Sequence, residues 1–135
     1  MSTLRFSSKF ENLDEIRDHV GSMARDAGFG EKAVYAVQLA ADEAASNIIE
    51  HAYEGRPEES FLLRCRYAND RLIMTFLDHG TAFDFSRVET PDVSADLSKR
   101  KIGGLGIFLM HKLMDEVAYR VTKSGNYLSL IKRKE

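Results

Sequence analysis

The sequence predicts an α+β domain built from amphipathic helices and antiparallel hairpins. Two segments in the first half carry apolar residues at helical spacing, and a shorter apolar helix is predicted from Ile107 to Met114. Two pairs of segments with alternating apolar and polar residues, each pair joined by a short turn, predict β-hairpins. Helices and hairpins therefore both contribute to the fold.

Length and composition limit the class of protein. A chain of 135 residues fits one domain, residues 1–135, that buries a core without disulfides. With 19 basic and 21 acidic residues, the formal charge of -2 gives no global reason to expect nucleic acid as a partner. No segment resembles a signal peptide or a membrane span, so we expect a soluble, cytoplasmic protein without a membrane partner. Cys65, the single cysteine, is expected to be a small buried residue.

The first 28 residues predict a strand followed by a helix. Residues 4–10 alternate weakly, as in an edge strand. Asn12 and Glu15 have the spacing of a capping box, which predicts the start of the first helix. The apolar spacing continues to about Ala27, and Gly28 is expected to end the helix.

The second helix is predicted from Glu31 to Tyr53. Glu43, Asn47 and His51 follow one another at four-residue intervals along the edge of its apolar face. A carboxylate, an amide and an imidazole would then share one wall at the border of the core. The simpler alternative is that Glu43 is a solvated flank residue and His51 a half-buried core residue.

Four strands are predicted in the second half of the chain. They cover residues 61–67, 72–77, 117–122 and 127–131, and the last two are joined by Ser124-Gly125-Asn126, a favourable hairpin turn.

The second of these strands ends in a polar turn. Asp78 is followed two residues later by Gly80, which can hold a carboxylate still while the backbone turns over a bound ring, although this pattern is also common in ordinary turns. Residues 85–102 are polar and without period, which favours a lid over a ligand. Within them, Lys99-Arg100-Lys101 could approach phosphate oxygens or be solvated.

Glycines cluster immediately before the third predicted helix, in Gly103-Gly104-Leu105-Gly106. Glycines at this place let backbone N–H groups approach an anion closely, and the helix N-terminus adds the positive end of its dipole. The alternative is a tight joint between loop and helix.

In this order and spacing, the three motifs resemble those of the GHKL nucleotide-binding superfamily. The N box covers residues 40–53, the first glycine box 78–84, the lid 85–102 and the second glycine box 103–110. More narrowly, the chain resembles bacterial anti-sigma factor serine/threonine kinases. The resemblance implies a two-layer α/β sandwich of the Bergerat type, in which about three helices cover one face of a mixed, mostly antiparallel sheet.

The resemblance also implies roles for individual residues, with ATP and Mg²⁺ bound. Glu43 would be the catalytic base and Asn47 the Mg²⁺ ligand. Asp78 would accept a hydrogen bond from the adenine amino group, and Gly80 would let the base approach. Gly104, Leu105 and Gly106 would line the phosphates, and His51 would have a supporting role.

Two departures from the superfamily pattern concern the lid contacts. Ala82 stands where many members have a second glycine, and the second box lacks a third glycine near Leu109 or Met110. Lys99, Arg100 and Lys101 match no specific family residue, and none is carried as catalytic.

The resemblance implies an ATP-dependent protein kinase that phosphorylates a small antagonist protein of the anti-anti-sigma type and that also binds a sigma factor. A homodimer, common in such kinases, could pair along the first strand. The alternatives are a nucleotide-dependent binding module without phosphotransfer, the detached catalytic domain of a sensor histidine kinase, and a structural domain without nucleotide. The histidine kinase is disfavoured because the chain has no room for a phosphoacceptor helix pair, although His19 and His111 lie on predicted helices.

Overall fold

Five antiparallel strands form one sheet in a computed structural model that describes residues 1–82 and 104–134. The strands are β1 (Ser2–Ser7), β2 (Ser60–Ala68), β3 (Arg71–Asp78), β4 (Glu116–Thr122) and β5 (Gly125–Arg133), in the order β1-β2-β3-β5-β4. Every pairing is antiparallel. Among the described strands, the order leaves β1 and β4 at the two edges.

In the described part of the chain, three α-helices accompany this sheet: α1 (Leu13–Asp26), α2 (Glu31–Asn47) and α3 (Gly104–Leu113). A hydrogen-bonded cap ends α1 at Gly28, whose φ is +91°: Gly28 N donates to Arg25 O and Phe29 N to Ala24 O. These two bonds form a Schellman motif, which confirms that Gly28 ends the first helix.

One apolar layer lies between the helices and the inner face of the sheet. Alternation in β2 and β3 points Phe61, Leu63 and Phe76 into it, and α2 contributes its alanine-rich face. Small residues on α2 let neighbouring elements approach its backbone closely. The helices cover one face of the sheet, so the predicted α+β sandwich is confirmed.

The structure corrects the predicted second helix. Its α-helical part ends at Asn47, and a π-helical turn, Ile48–Ala52, follows. There Tyr53 N donates to Ile48 O five residues back, and this wider turn changes the direction of the side chains that follow. His51 therefore does not continue the four-residue stack begun by Glu43 and Asn47.

The predicted capping box at Asn12 is wrong. A 3-10 turn, Phe10–Asn12, precedes α1, so Asn12 already has helical backbone angles and its side chain makes no cap bond. Its amide instead donates to Ser7 O at 2.8 Å. The first strand begins and ends earlier than predicted, at Ser2 and Ser7.

Three predicted features lie wholly or partly outside the described residues: the lid at 85–102, residues 83–84 of the first glycine box, and residue 103 of the second. Within residues 1–82 and 104–134, no helix combines the length and the apolar character needed to cross a membrane.

Candidate functional site

Glu43 and Asn47 lie one turn apart on α2 and face the first turn of α3. The closest approach is at Gly106, which is buried: a Cβ placed there would lie 2.6 Å from Glu43 Oε2 and 3.2 Å from Asn47 Nδ2. Only a glycine fits this contact without moving the two side chains. The structure thus brings Glu43 and Asn47 into contact with a glycine that lies about 60 positions later in the chain.

The surroundings of Glu43 raise its pKa above the ordinary value. Partial burial contributes most, because it disfavours the charged form, and the negative charges of Asp42 and Glu50 add to it. A carboxylate with a raised pKa is a stronger base and accepts a proton more readily. Glu43 therefore has the chemical character required of a general base.

Asn47 is buried, with 6% of its surface exposed, and its Nδ2 has no hydrogen-bond partner among the described residues. Burying an amide without a hydrogen-bond partner destabilises the fold, and a bound ligand that contacts the amide would remove this penalty. Half a rotation of the amide exchanges its nitrogen for its oxygen, a neutral donor of the kind that Mg²⁺ accepts. The residue present at this position therefore fits a Mg²⁺ ligand.

A second cluster forms around Asp78 at the end of β3. Its carboxylate is 2% exposed, and Oδ1 accepts hydrogen bonds from Asn126 Nδ2 and Gly80 N, both at 2.9 Å. These bonds and nearby His79 favour the charged form, but burial outweighs them and raises the pKa of Asp78. Both bonds end on Oδ1, and no donor among residues 1–82 and 104–134 occupies Oδ2, which can accept a hydrogen bond from a ligand.

Asn126 is the site residue that sequence reasoning missed. Its buried amide donates both to Asp78 Oδ1 and to Gly80 O, each at 2.9 Å, so it fixes the carboxylate and the turn together. The sequence shows Asn126 only as part of a favourable hairpin turn. The signal that could have found it is the pairing of β3 with β5, which places Asn126 opposite Asp78.

The end of the π-helical turn holds the same loop from the other side. Tyr53 Oη accepts a hydrogen bond from His79 N at 2.8 Å and donates one to Ser60 O at 2.7 Å. Thr81 N donates to Ala52 O at 2.8 Å. The turn after Asp78 is therefore anchored to the end of the helix that carries Glu43 and Asn47.

The structure gives a reason for glycine at position 80 that the sequence did not indicate. A Cβ at this position would overlap the carbonyl group of Ala52. Because Gly80 has no side chain, the loop can contact the end of the helix at Ala52. His51 is half-buried, and its Nε2 lies 3.4 Å from Glu50 Oε2.

The remaining predicted residues lie at the start of α3. The helix begins at Gly104, three residues before the predicted start at Ile107. The second glycine box therefore opens a helix, but Gly104, Leu105 and Gly106 form its first turn instead of preceding it. This places the positive end of a helix dipole beside Glu43 and Asn47, where it favours a bound anion.

Comparisons with known proteins agree with this architecture. The family model of the histidine kinase-like ATPase domain matches residues 6–132. Serine-protein kinase RsbW of Listeria monocytogenes serovar 1/2a is 32% identical over 119 residues, which cover 85% of this chain and 76% of the relative. Serine-protein kinase RsbW of Bacillus cereus (strain AH187) is 30% identical over 118 residues, 84% of this chain and 73% of the relative.

Two solved structures share the fold at low identity. The RsbU and RsbW domains of Rv1364c from Mycobacterium tuberculosis superpose with a TM-score of 0.68 at 14% identity, over 99% of this chain and 33% of that one. The histidine kinase domain of the Erythrobacter litoralis EL346 blue-light activated histidine kinase gives a TM-score of 0.53 at 16% identity, over 96% of this chain and 62% of that one. The match to the ATPase family model and the two kinase relatives, at 32% and 30% identity, confirm the predicted enzyme class, an ATP-dependent protein kinase, at the level of the family. The chain belongs to the histidine kinase-like ATPase domain family, among the relatives of the serine-protein kinase RsbW.

Proposed function

We propose that this chain transfers the γ-phosphate of ATP to a serine or threonine of a small antagonist protein in a partner-switching pathway, and that it also binds a sigma factor. The observation that carries the proposal is the juxtaposition of Glu43, Asn47 and Gly106. A base with a raised pKa stands there beside an unpaired buried amide and the N-terminus of a helix. Each is a group that phosphoryl transfer uses.

Within this site, Asn47 would hold Mg²⁺ through its amide oxygen, and the first turn of α3, with Gly104, Leu105 and Gly106, would receive the phosphates. Bound Mg²⁺ supplies charge neutralisation on the phosphate oxygens. Glu43 would accept the proton of the attacking hydroxyl. Since protonated Glu43 cannot act as a base, we expect the transfer rate to fall as the pH falls through its raised pKa.

Asp78 would select adenine. Its free oxygen can accept a hydrogen bond from the exocyclic amine of adenine, but it would face a carbonyl oxygen in guanine. Asn126 and Gly80 N hold the other oxygen, so the carboxylate is fixed before a ligand arrives. Gly80 belongs to this part of the site because it turns the chain directly after Asp78.

The test compares Glu43→Gln with Asn47→Ala. MgATP binding by calorimetry, with GTP as control, and transfer of labelled phosphate to the antagonist protein are measured on each. We expect Glu43→Gln to bind MgATP but to lose transfer, and Asn47→Ala to lose Mg²⁺-dependent binding. Full transfer by Glu43→Gln would refute the assignment of the base. If the wild type binds MgATP without any transfer, the module that binds a regulator without phosphotransfer replaces the kinase.

The same proposal includes the location, the domain extent and the partners of the protein. We place the protein in the cytoplasm, as one domain over residues 1–135, with protein partners and without direct binding to nucleic acid or membrane. A homodimer could pair along the free edge of β1, since an edge strand presents unpaired backbone groups. Sedimentation of the wild type and of Arg5→Pro would test the dimer, which the variant should lose.

A further inference from the structure

The outer face of the sheet, opposite the helices, carries a concentration of arginine. Pairing register and alternation place the following six on it: Arg5, Arg64, Arg66, Arg71, Arg120 and Arg133. Among the described strands, Glu116 is the single carboxylate on this face, and no lysine lies there. The formal charge of -2 for the whole chain therefore conceals a strongly basic face.

Most of this charge is available to a partner. Glu116 pairs with Arg133 at 2.8 Å, and Arg5 donates to Ser60 Oγ at 3.0 Å. Arg64, Arg66 and Arg71 are exposed and make no ion pair with a described residue. Arginines without a nearby carboxylate repel one another, and an acidic partner would relieve this repulsion.

The centre of the face is concave. A depression of about 400 Å³ crosses all five strands. Arg64 and Arg120 line it, as do Thr75 and Ser129, whose hydroxyl oxygens are 3.2 Å apart. The guanidinium of Arg120 lies over the ring of Tyr127, with Cζ 5.3 Å from the centroid. This stacking restrains the arginine, so less conformational entropy is lost when it binds a carboxylate.

Apolar side chains lie between the charges. Leu62, Ile73, Leu77, Tyr127 and Ile131 are all partly exposed on this face. Interfaces between proteins are enriched in arginine and aromatic residues and depleted in lysine. This face has six arginines, Tyr127 and, among the described strands, no lysine.

Two other occupants fit less well. A second copy bound face to face would place arginines opposite arginines. Single-stranded nucleic acid binds sheets through exposed aromatic rings, but the one aromatic residue that the described strands place on this face, Tyr127, is covered by Arg120.

From these observations we propose that the outer face of the sheet is a docking surface for a protein that presents an acidic, partly apolar surface. Asp78 points to the opposite, inner face, and Glu43 lies on α2 beyond it. A protein held on the outer face therefore leaves the proposed phosphotransfer site open. The proposal does not depend on nucleotide chemistry.

The test uses the full chain and a synthetic, end-blocked peptide of three Glu-Leu-Glu-Tyr repeats. Amide chemical shifts of the ¹⁵N-labelled protein locate the peptide, and calorimetry gives its affinity. We compare the wild type with Arg64→Glu/Arg120→Glu and with Lys32→Glu/Lys112→Glu, which changes the net charge equally but on the helices. A Lys-Leu-Lys-Tyr peptide and a 12-nucleotide oligothymidylate are the competing ligands.

We expect the acidic peptide to shift amides of β2, β3 and β5. Its affinity should fall about tenfold or more in the arginine variant and less than about twofold in the lysine variant. MgATP binding should be the same in all three proteins, which separates this test from that of the kinase. The proposal is overturned by equal losses in both variants, by shifts confined to the helices, by tighter binding of the oligothymidylate, or by self-association that the arginine variant loses.

Discussion

Asp78 is a buried carboxylate whose ionisation opposes folding. Two hydrogen bonds reach its Oδ1, yet burial still raises its pKa above the ordinary value of 3.8. The ionised form is therefore less favourable in the folded chain than in the unfolded chain. Stability is lost as the pH rises from the unfolded pKa through the raised folded pKa.

The first prediction concerns Asp78→Asn, which keeps the shape and an oxygen for both hydrogen bonds. Since asparagine does not ionise, the variant should be more stable than the wild type at pH 7, and this difference should shrink as the pH falls to about 3.8. Urea unfolding from pH 3 to 7 measures it. Glu43 titrates in both proteins and cancels in the comparison. A difference that grows toward acid pH would contradict the raised pKa.

The same substitution should weaken nucleotide binding. With its oxygen held by Asn126, the new amide would turn an N–H donor toward the adenine amino group, and two donors do not pair. Stability and binding are thus expected to move in opposite directions.

The second prediction is that Asn126→Ala weakens MgATP binding about tenfold or more. Loss of a hydrogen bond to a charged group costs about 1.5–3 kcal/mol, and Asp78 would lose the donor that fixes its oxygen. Asn12→Ala is the matched control, since Asn12 also donates two hydrogen bonds but lies at the start of α1. Titration calorimetry at pH 7 measures both. Equal affinities in the two variants would remove Asn126 from the site.

Among the elements, α2 organises the site along its length. Glu43 and Asn47 face α3, while the π-helical turn at its end brings Ala52 and Tyr53 against the loop after β3. Such turns are rare and occur often at functional sites. Here the wider turn ends the helix where the loop after Asp78 reaches it.

The third prediction tests this junction with Gly80→Ala. An added methyl group would overlap the Ala52 carbonyl. Because this carbonyl belongs to the backbone, it cannot move aside as the end of a side chain can. Overpacking of this kind costs about 1–3 kcal/mol of unfolding free energy. Chemical denaturation measures the loss.

Gly30→Ala is its matched control, since a Cβ there meets nothing within 4 Å. Its backbone conformation is open to alanine, but Gly30 is the N-cap of α2, where glycine is favoured over alanine. Because alanine also lowers the entropy of the unfolded chain, the unfolding free energy should change by less than about 1 kcal/mol. A Gly80→Ala protein as stable as this control would show that the loop and the helix end separate easily.

For the whole molecule, the candidate site joins both layers, because Glu43 and Asn47 lie in the helices and Asp78 and Asn126 in the sheet. A ligand that contacts all of them binds only the folded chain. Binding is therefore linked to global stability.

The fourth prediction follows from that linkage. MgATP at one hundred times its dissociation constant should raise the unfolding free energy by about 2.7 kcal/mol, visible as a higher Tm. GTP at the same concentration should have a much smaller effect, because the proposed role of Asp78 would place its oxygen opposite a carbonyl oxygen of guanine. Scanning calorimetry with each nucleotide tests this. An equal rise with both would assign the base contact to other residues.

The sequence alone determined the class of fold, the order of the elements and the family. Periodicity is a local property, so alternation in β2 and β3 and the apolar face of α2 could be recognised without tertiary contacts. Glu43, Asn47 and Asp78 could be proposed as site residues from the sequence because each lies in a local motif. The three helices and the antiparallel strands agree with those predictions.

Only the tertiary structure decided which distant groups meet. Asn126 reaches Asp78 because β5 pairs with β3, and Gly80 contacts Ala52 because the helix layer packs on the sheet. The π-helical turn depends on where that helix must end, and the arginine face depends on strand register. These features arise from contacts between residues far apart in the chain, and local spacing carries no information about such contacts.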